Sequence, residues 1–381
     1  MYGRSLLLVS EPSLGVDEVA ALSDVISSDW ITMGGRVASF ERAFAEAHGV
    51  DDAVAVNSCT AGLHLALAAL GIGSGDEVIV PSLSFVATAN CVVYTGARAV
   101  FADIESLDRP LMSLADAEAK LSPRTRAVVV MHYAGSVADA EASRSFARRH
   151  NLFLIEDSAH AVGQDRGSIF GDLAVFSFYG NKNMTTAEGG MILGRDKAAL
   201  ERTRRARSHG MTSTTSERLN VRAASYDVLS LGYNYRMSEL NAALGLVQLT
   251  KLAARNAQRR MLAETYGQAF GNRPTDLRLP LLGHAPSAHH LFPVVLPQHA
   301  DRQAVMSGLY EQGIQTTIHY PPIHQLTWFR EHYPNVCLPV TEAFGARQLT
   351  LPLHPKMTEA DAGYVAGSLL RLLGVGGGSG T

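Results

Sequence analysis

The chain has 381 residues, 46% hydrophobic and 18% charged, with a formal net charge of −3. That length exceeds one minimal domain and fits a large domain joined to a smaller one. The near-neutral charge gives no reason to expect nucleic acid or membrane partners, and neither is expected. Three widely spaced cysteines, Cys59, Cys91 and Cys337, make neither a disulfide framework nor a zinc pattern.

At the N-terminus, MYGRSLLLVSEPSLG holds an apolar run too short for a signal peptide. No apolar stretch reaches the 18 residues of a membrane span, so a cytoplasmic enzyme is the expectation. From residue 50 to 195, short apolar runs alternate with helical stretches, the pattern of a parallel sheet covered on both faces. Strands are predicted at 53–56, 77–80, 99–102, 127–131, 152–156, 173–177 and 190–194. Helices are predicted at 61–70, 86–95 and 138–150. Residues 198–208 read as an arginine-rich helix with a solvated face, and 211–225 as a Ser/Thr/Arg-rich loop. A helix capped near Ser238 follows over 237–252. The pattern then changes to a long helix and mixed short elements such as 287–296, which marks a second unit. The expected division is a large domain at 1–252, a small α+β domain at 253–373 and a flexible glycine-rich tail at 374–381. The N-terminal segment is free to pack on the small domain.

In open α/β sheets, ligands bind beyond the carboxyl ends of the strands, so residues just after each strand carry the interest. The segment FSFYGNKNMTTAEGGM puts Lys182 in a polar turn between two apolar strands. Only five lysines occur in the chain (Lys120, Lys182, Lys197, Lys251 and Lys356). A lysine in such a turn either snorkels outward or is buried with a depressed pKa, as a nucleophile needs. Asp157 directly follows the 152–156 strand. An aspartate there commonly caps a helix, but it is also the partner that a protonated pyridine nitrogen requires. Twenty-five residues separate Asp157 from Lys182, one strand and its return, so both side chains can reach one pocket from adjacent strand ends. Small residues at 57–62, between a strand and an Ala/Leu-rich helix, leave free amides that suit a phosphate. Phe85 follows another strand and is either core or a face for a planar ring. The glycines of 71–75 follow a helix, so they fail the context of a dinucleotide loop and read as a connecting turn. No metal site is expected, since the histidines form no i, i+4 ligand pair with acids nearby.

These segments, with WITMGGRVASFE, NSCTAGLHLAL, GDEVIVPSLSFVATANCV, IEDSAHAVG, LGYNYRMSELNAALG, HYPPIHQ and LPLHP, resemble the DegT/StrS-type sugar aminotransferases. Those are pyridoxal-phosphate (PLP) enzymes of the aspartate-aminotransferase fold, fold type I. The resemblance covers nearly the whole chain. It implies an α/β large domain with a mostly parallel central sheet between helices, plus a smaller C-terminal domain. It implies that Lys182 forms the Schiff base and moves protons, that Asp157 pairs with the pyridine nitrogen, and that His160 stands beside the ring hydroxyl. Phe85 would stack on the ring. Thr60 and Ala61, with Cys59 beside them and the Ser177 hydroxyl, would hold the phosphate, although Cys59 replaces the usual glycine or serine. Asn234 would reach the cofactor of the partner subunit in a homodimer.

The implied reaction is ping-pong, with pyridoxamine phosphate between its halves. Glutamate, or glutamine, gives an amino group to a keto-sugar, expected to be a nucleotide-linked 4-keto-6-deoxy sugar. The SAHAVG and TTAEGG segments favour amination at C4 over C3. Lys182 argues against the related dehydratase branch, in which histidine replaces the lysine. A glutamine-dependent cyclitol (inosose-type) aminotransferase and a non-catalytic regulatory protein on the same scaffold stay as alternatives. Substrate contacts are expected from Trp30, Thr32, His209, Arg218, Arg222, His319, Tyr320 and His324.

Overall fold

Apolar residues recur at every second position of the strands in the first half of the chain, and both sets are buried. That pattern requires a sheet with a hydrophobic layer on each face. A computed structural model describes residues 6–163, 169–212, 225–271, 276–283 and 286–374. Its main sheet contains β1 (Ala53–Val56), β2 (Glu77–Pro81), β3 (Arg98–Ala102), β4 (Thr125–Met131), β5 (Phe153–Asp157), β6 (Leu173–Ser177) and β7 (Gly190–Gly194). The order is β1-β7-β6-β5-β4-β2-β3. Strand β7 runs antiparallel to both neighbours, and the other pairs are parallel. The sheet is thus mostly parallel, with one reversed strand that returns the chain directly from β6.

Eight helices precede the second sheet among the described residues: α1 (Val16–Ser27), α2 (Gly35–His48), α3 (Cys59–Ala69), α4 (Ala87–Tyr94), α5 (Leu114–Ala119), α6 (Ala140–Arg149), α7 (Lys197–Ala206) and α8 (Glu239–Gly271). On one face, Val54, Val78, Val129, Ile155, Val175 and Ile192 pack with apolar residues of α3, α4 and α7. The alternate strand residues pack with α2 and α8 and, further along the sheet, with α5 and α6. Each such side chain removed from water contributes roughly 1.5–3 kcal/mol, so the double-sided burial holds the strand ends in fixed positions.

The C-terminal part contains β8 (Phe292–Val295), α9 (Arg302–Glu311), α10 (Thr327–His332), α11 (Pro339–Arg347), β9 (Gln348–Leu351) and α12 (Glu359–Leu372). Strands β8 and β9 pair antiparallel, and a second core gathers Leu262, Tyr266, Phe292, Leu309, Leu351 and Val365. The N-terminal segment lies along this part. Leu7 exchanges backbone hydrogen bonds with Gly313 and Gln315, each 2.9 Å, and the Leu353 amide donates to the Val9 carbonyl at 3.1 Å. The glycine-rich tail from residue 375 onward lies outside the described residues.

Two expectations change. The helix predicted to end at 252 and the long helix after it are one continuous helix, α8. No glycine or proline stands between Gly245 and Gly267, so nothing in the backbone interrupts it. What changes near residue 252 is the side it packs on, from the main-sheet core to the second core. The arginine-rich helix is also not simply solvated. Just past its end, Arg207 is 4% exposed and meets Glu41 Oε1 at 2.5 Å. Among the described residues, no helix is long and apolar enough to cross a membrane.

The buried Glu41–Arg207 pair generates a prediction. Arg207→Met removes the closer and more buried of the two arginines on Glu41, leaving only Arg204 at 3.3 Å from its Oε2, and should cost about 3 kcal/mol. Arg204→Met removes the longer bond to Glu41 and a bond to exposed Asp52 from a side chain that is 30% exposed, and should cost about 1 kcal/mol or less. Urea unfolding of both variants checks this; equal losses would mean that burial does not set the difference.

Candidate active site

The register of the sheet brings three strand ends level. Gly190 at the start of β7 faces Val56 at the end of β1 and Ser177 at the end of β6. Asp157, the last residue of β5, lies beside Val175, two residues short of that edge. Above them opens a cavity of ≈460 Å³. Asp157, Ser177, Lys182 and the N-terminus of α3 all line it, as the crossover geometry of a parallel sheet predicts.

Lys182 sits in the turn after β6, its amide donating to the Tyr179 carbonyl at 3.0 Å. Its Nζ is 3.4 Å from Nε2 of His290. Burial lowers the Lys182 pKa to about 8, against the opposing pull of anionic neighbours such as Asp157. Near neutral pH a useful share of this amine is therefore unprotonated. Asp157 is 3% exposed. Its Oδ2 accepts from the Thr88 hydroxyl at 2.7 Å, and its Oδ1 accepts from the Ala159 amide at 3.2 Å. Thr88 has one hydroxyl proton and gives it to the carboxylate, so Ser84 Oγ, 2.6 Å away, donates to Thr88. Burial raises the Asp157 pKa even so, with the Thr88 bond working in the other direction. A buried carboxylate facing a cavity in this state favours a cationic donor as its ligand.

The third component is an anion cradle. Ser58 is extended and caps α3, its Oγ accepting from the Ala61 amide at 3.1 Å. Ser58, Cys59 and Thr60 present the helix start to the cavity, where free amides and the helix dipole favour negative charge. Gly190 permits this approach. A Cβ there would stand 2.8 Å from the Cys59 nitrogen and 2.9 Å from the Phe176 carbonyl oxygen. Ala61, expected at the phosphate, has already given its amide to Ser58 and is not on the cavity wall.

The remaining expected residues divide. His160 lines the cavity with Phe85, His319 and Tyr320. His160 Nε2 is 2.9 Å from the Tyr320 hydroxyl, while its buried Nδ1 has no partner among the described residues. Burial holds the His160 pKa well below the usual imidazole range and that of His319 at about 4. The Phe85 ring is half exposed and stands 5.8 Å from that of Tyr320. His324 is not brought to the cavity. It is buried elsewhere, its Nδ1 2.7 Å from Ser82 Oγ and its Nε2 3.2 Å from Glu342. Trp30, Thr32, His209 and Asn234 are likewise off the cavity wall of this chain, and Asn234 is exposed. Arg218 and Arg222 lie outside the described residues.

Sequence reasoning missed Thr88 and His290. Thr88 is three residues after Phe85 in the turn and helix that follow β2, so the strand-end rule could have reached it. His290 comes from the segment before β8, over a hundred residues from Lys182, and no local signal announces it.

The DegT/DnrJ/EryC1/StrS aminotransferase family matches residues 12–370. Among solved structures, the chain is 31% identical to Helicobacter pylori PseC, an aminotransferase involved in the biosynthesis of pseudoaminic acid. The match covers 97% of this chain and 99% of that one, with a TM-score of 0.89. It is 31% identical to DesI, whose structure was obtained in the presence of its TDP-sugar product, over 98% of this chain and 94% of that one (TM-score 0.87). The PLP-form of Spr1654 from Streptococcus pneumoniae, a sugar aminotransferase by its description, is 26% identical over 97% and 98% of the two chains (TM-score 0.86).

The lowered pKa of Lys182 can be read directly in the apoprotein. With a small amine reagent and mass spectrometry, Lys182 labelling should rise through a midpoint near pH 8. Exposed Lys197, whose bond to Asp51 raises its pKa above the ordinary lysine value, should react only at higher pH. Coincident midpoints would show that the cavity does not depress the Lys182 pKa.

Proposed function

Because the chain belongs to the DegT/DnrJ/EryC1/StrS aminotransferase family, we propose that it is a PLP-dependent enzyme that moves an amino group from glutamate or glutamine to a keto-sugar. The carrying observation is that one cavity joins a lysine of depressed pKa, a buried carboxylate and a helix N-terminus opened by Gly190. These are the three groups that an aldehyde, a pyridinium nitrogen and a phosphate need. The residues fit the cofactor: Lys182 for the aldehyde, Asp157 for the ring nitrogen, and the amides of Cys59 and Thr60 with the Ser177 hydroxyl for the phosphate. His160, with its unpartnered buried Nδ1, is available to the ring hydroxyl, and Phe85 to a ring face. Pyridoxal phosphate held there supplies the electron sink that amino transfer requires.

The protein's own part is positioning and proton handling. Thr88 and the Ala159 amide fix the carboxylate of Asp157, whose charge would keep the cofactor's pyridine nitrogen protonated. Lys182 Nζ, partly neutral near pH 8, takes a proton from the amino donor's carbon and returns it within the site. Phe85, Met131 and Tyr320 give the cavity apolar walls beside that exchange.

The acceptor is a nucleotide-linked sugar, a 4-keto-6-deoxy sugar in the reading that its motifs favour. A relative described with its TDP-sugar product supports this class. The active enzyme is a homodimer in which Asn234 of one chain reaches the other's cofactor phosphate. Two observations support it. Val228, Leu229 and Leu231 are 52–82% exposed in the segment leading to Asn234, an apolar run that a partner would cover. In addition, the described residues lining the cavity include no arginine, so the carboxylates of the amino donor and the sugar's phosphates call for cations from elsewhere.

The test is to add PLP, ¹⁵N-glutamate or ¹⁵N-glutamine and a panel of nucleotide-linked 3- and 4-keto-6-deoxy sugars, then follow the label by mass spectrometry. Label in one 4-keto sugar is expected. Label passing only to a cyclitol ketone would replace the acceptor class, and no visible band with PLP would overturn the cofactor assignment. Lys182→Ala should abolish transfer, and borohydride should fix the cofactor on Lys182 in the wild type alone; a variant with normal turnover refutes the role. Asp157→Asn should lower kcat more than tenfold, at least roughly 1.4 kcal/mol of barrier. A smaller loss would assign the ring nitrogen to another acid.

A further inference from the structure

Among the described residues the Lys182 amine meets an imidazole from the other part of the chain, and the orientation of that ring follows from a series of fixed donors and acceptors. Asn183, next to Lys182, donates from Nδ2 to the Ala288 carbonyl and to Asn256 Oδ1, both at 2.8 Å. A carbonyl only accepts, so this end of the amide is the nitrogen and the other is the oxygen. That oxygen lies 3.0 Å from His290 Nδ1, which must therefore carry the proton. The ring is neutral, since burial holds the His290 pKa well below the usual range. Its Nε2 then presents a lone pair, 3.4 Å from Lys182 Nζ. The backbone of His290 is held at both ends, its amide donating to the Ala134 carbonyl at 3.0 Å and its carbonyl accepting from Arg259 at 3.2 Å.

We infer that His290 is a positioning residue whose Nε2 accepts an N–H of Lys182 whenever that amine is free, so that the amine rests at one fixed place in the cavity. The inference deepens the aminotransferase reading and rests on it for the role in turnover, but not for the contact. An acceptor favours the charged amine more than the neutral one, so this bond works against burial and keeps the Lys182 pKa from falling further. The other ionisable groups facing the amine are Asp157 on β5, Cys59 on α3, and His160 and His319. Burial pushes the Cys59 thiol up and both imidazoles down, so Asp157 is the neighbouring charge that favours the ammonium form, and the His290 lone pair adds a hydrogen-bond acceptor to it.

The experiment is amine labelling of Lys182 against pH in the apoprotein, with kcat and KM read on the loaded enzyme. His290→Phe keeps a planar ring without the acceptor and should move the labelling midpoint down by about one pH unit. His290→Gln keeps an acceptor oxygen and should stay within about a third of a unit of wild type. On the loaded enzyme, His290→Phe should lower kcat and leave KM for the amino donor nearly unchanged. A midpoint unmoved by His290→Phe, or moved equally by both variants, overturns the inference. Should His290→Phe fail to fold, Asn183→Leu is read instead. It frees the ring to put its proton on Nε2, so the same downward shift is expected and an unmoved midpoint is again fatal. Because the labelling uses no cofactor, failure of the aminotransferase reading would show separately, as absent transfer beside an intact His290 effect.

Discussion

An amine and a carboxylate share one cavity out of water, and burial drives their pKa values toward each other. Lys182 is brought down to about 8 while Asp157 is raised. Neither charge is cheap to hold there, so the surrounding structure must fix them against relaxation. The sheet does so with seven strands buried on both faces. It puts Asp157 at the end of β5 and Lys182 just past the end of β6. Ser84 and Thr88 add a directed hydrogen-bond chain behind the carboxylate. The chemistry of the site and the rigidity of the fold are therefore one design problem with one solution.

The same constraint explains why the cavity has two sources. The main sheet supplies the groups that carry charge and the His160 imidazole, and the C-terminal part adds further neutral imidazoles and a phenol. His290, His319 and Tyr320 arrive from segments that pack on the second core or between the two. A neutral imidazole can hold an amine without adding a second anion beside Asp157. This division also gives the Lys182 turn contacts on two sides, since the Ser10 hydroxyl donates to the Asn181 carbonyl at 3.1 Å and Asn183 bridges to Ala288 and Asn256.

Much of the sheet is legible in the sequence because strand burial is a local pattern. Apolar runs bounded by turn residues mark all seven strands within two residues of their ends. Asp157 and Lys182 are legible for the same reason, since each directly follows such a run. The direction of β7 is less so, because a short return and a longer crossover leave similar apolar runs. Helix α8 is misread as two helices since the change near residue 252 is a change of packing partner, which periodicity records as a break. Arg207 is hidden because its partner Glu41 is 166 residues away, and charge composition alone reads as a solvated face. His290 is hidden for the same reason. Contacts made between distant segments leave no trace in spacing.

Helix α8 spans 33 residues, a rod of roughly 50 Å at 1.5 Å per residue, and it belongs to both cores. Ala242 and Leu252 pack under the main sheet, while Leu262, Tyr266 and Phe270 pack with β8 and β9. The chain therefore cannot be divided where its hydrophobic pattern changes. A fragment ending at residue 252 would lose the half of the rod that shields the second core, and the complementary fragment would begin in mid-helix without a cap. Recombination between relatives, natural or engineered, should accordingly keep α8 whole and cross over beyond Gly271. A chimera built on that boundary inherits Asp157, His160 and Lys182 from one parent and His290, His319 and Tyr320 from the other.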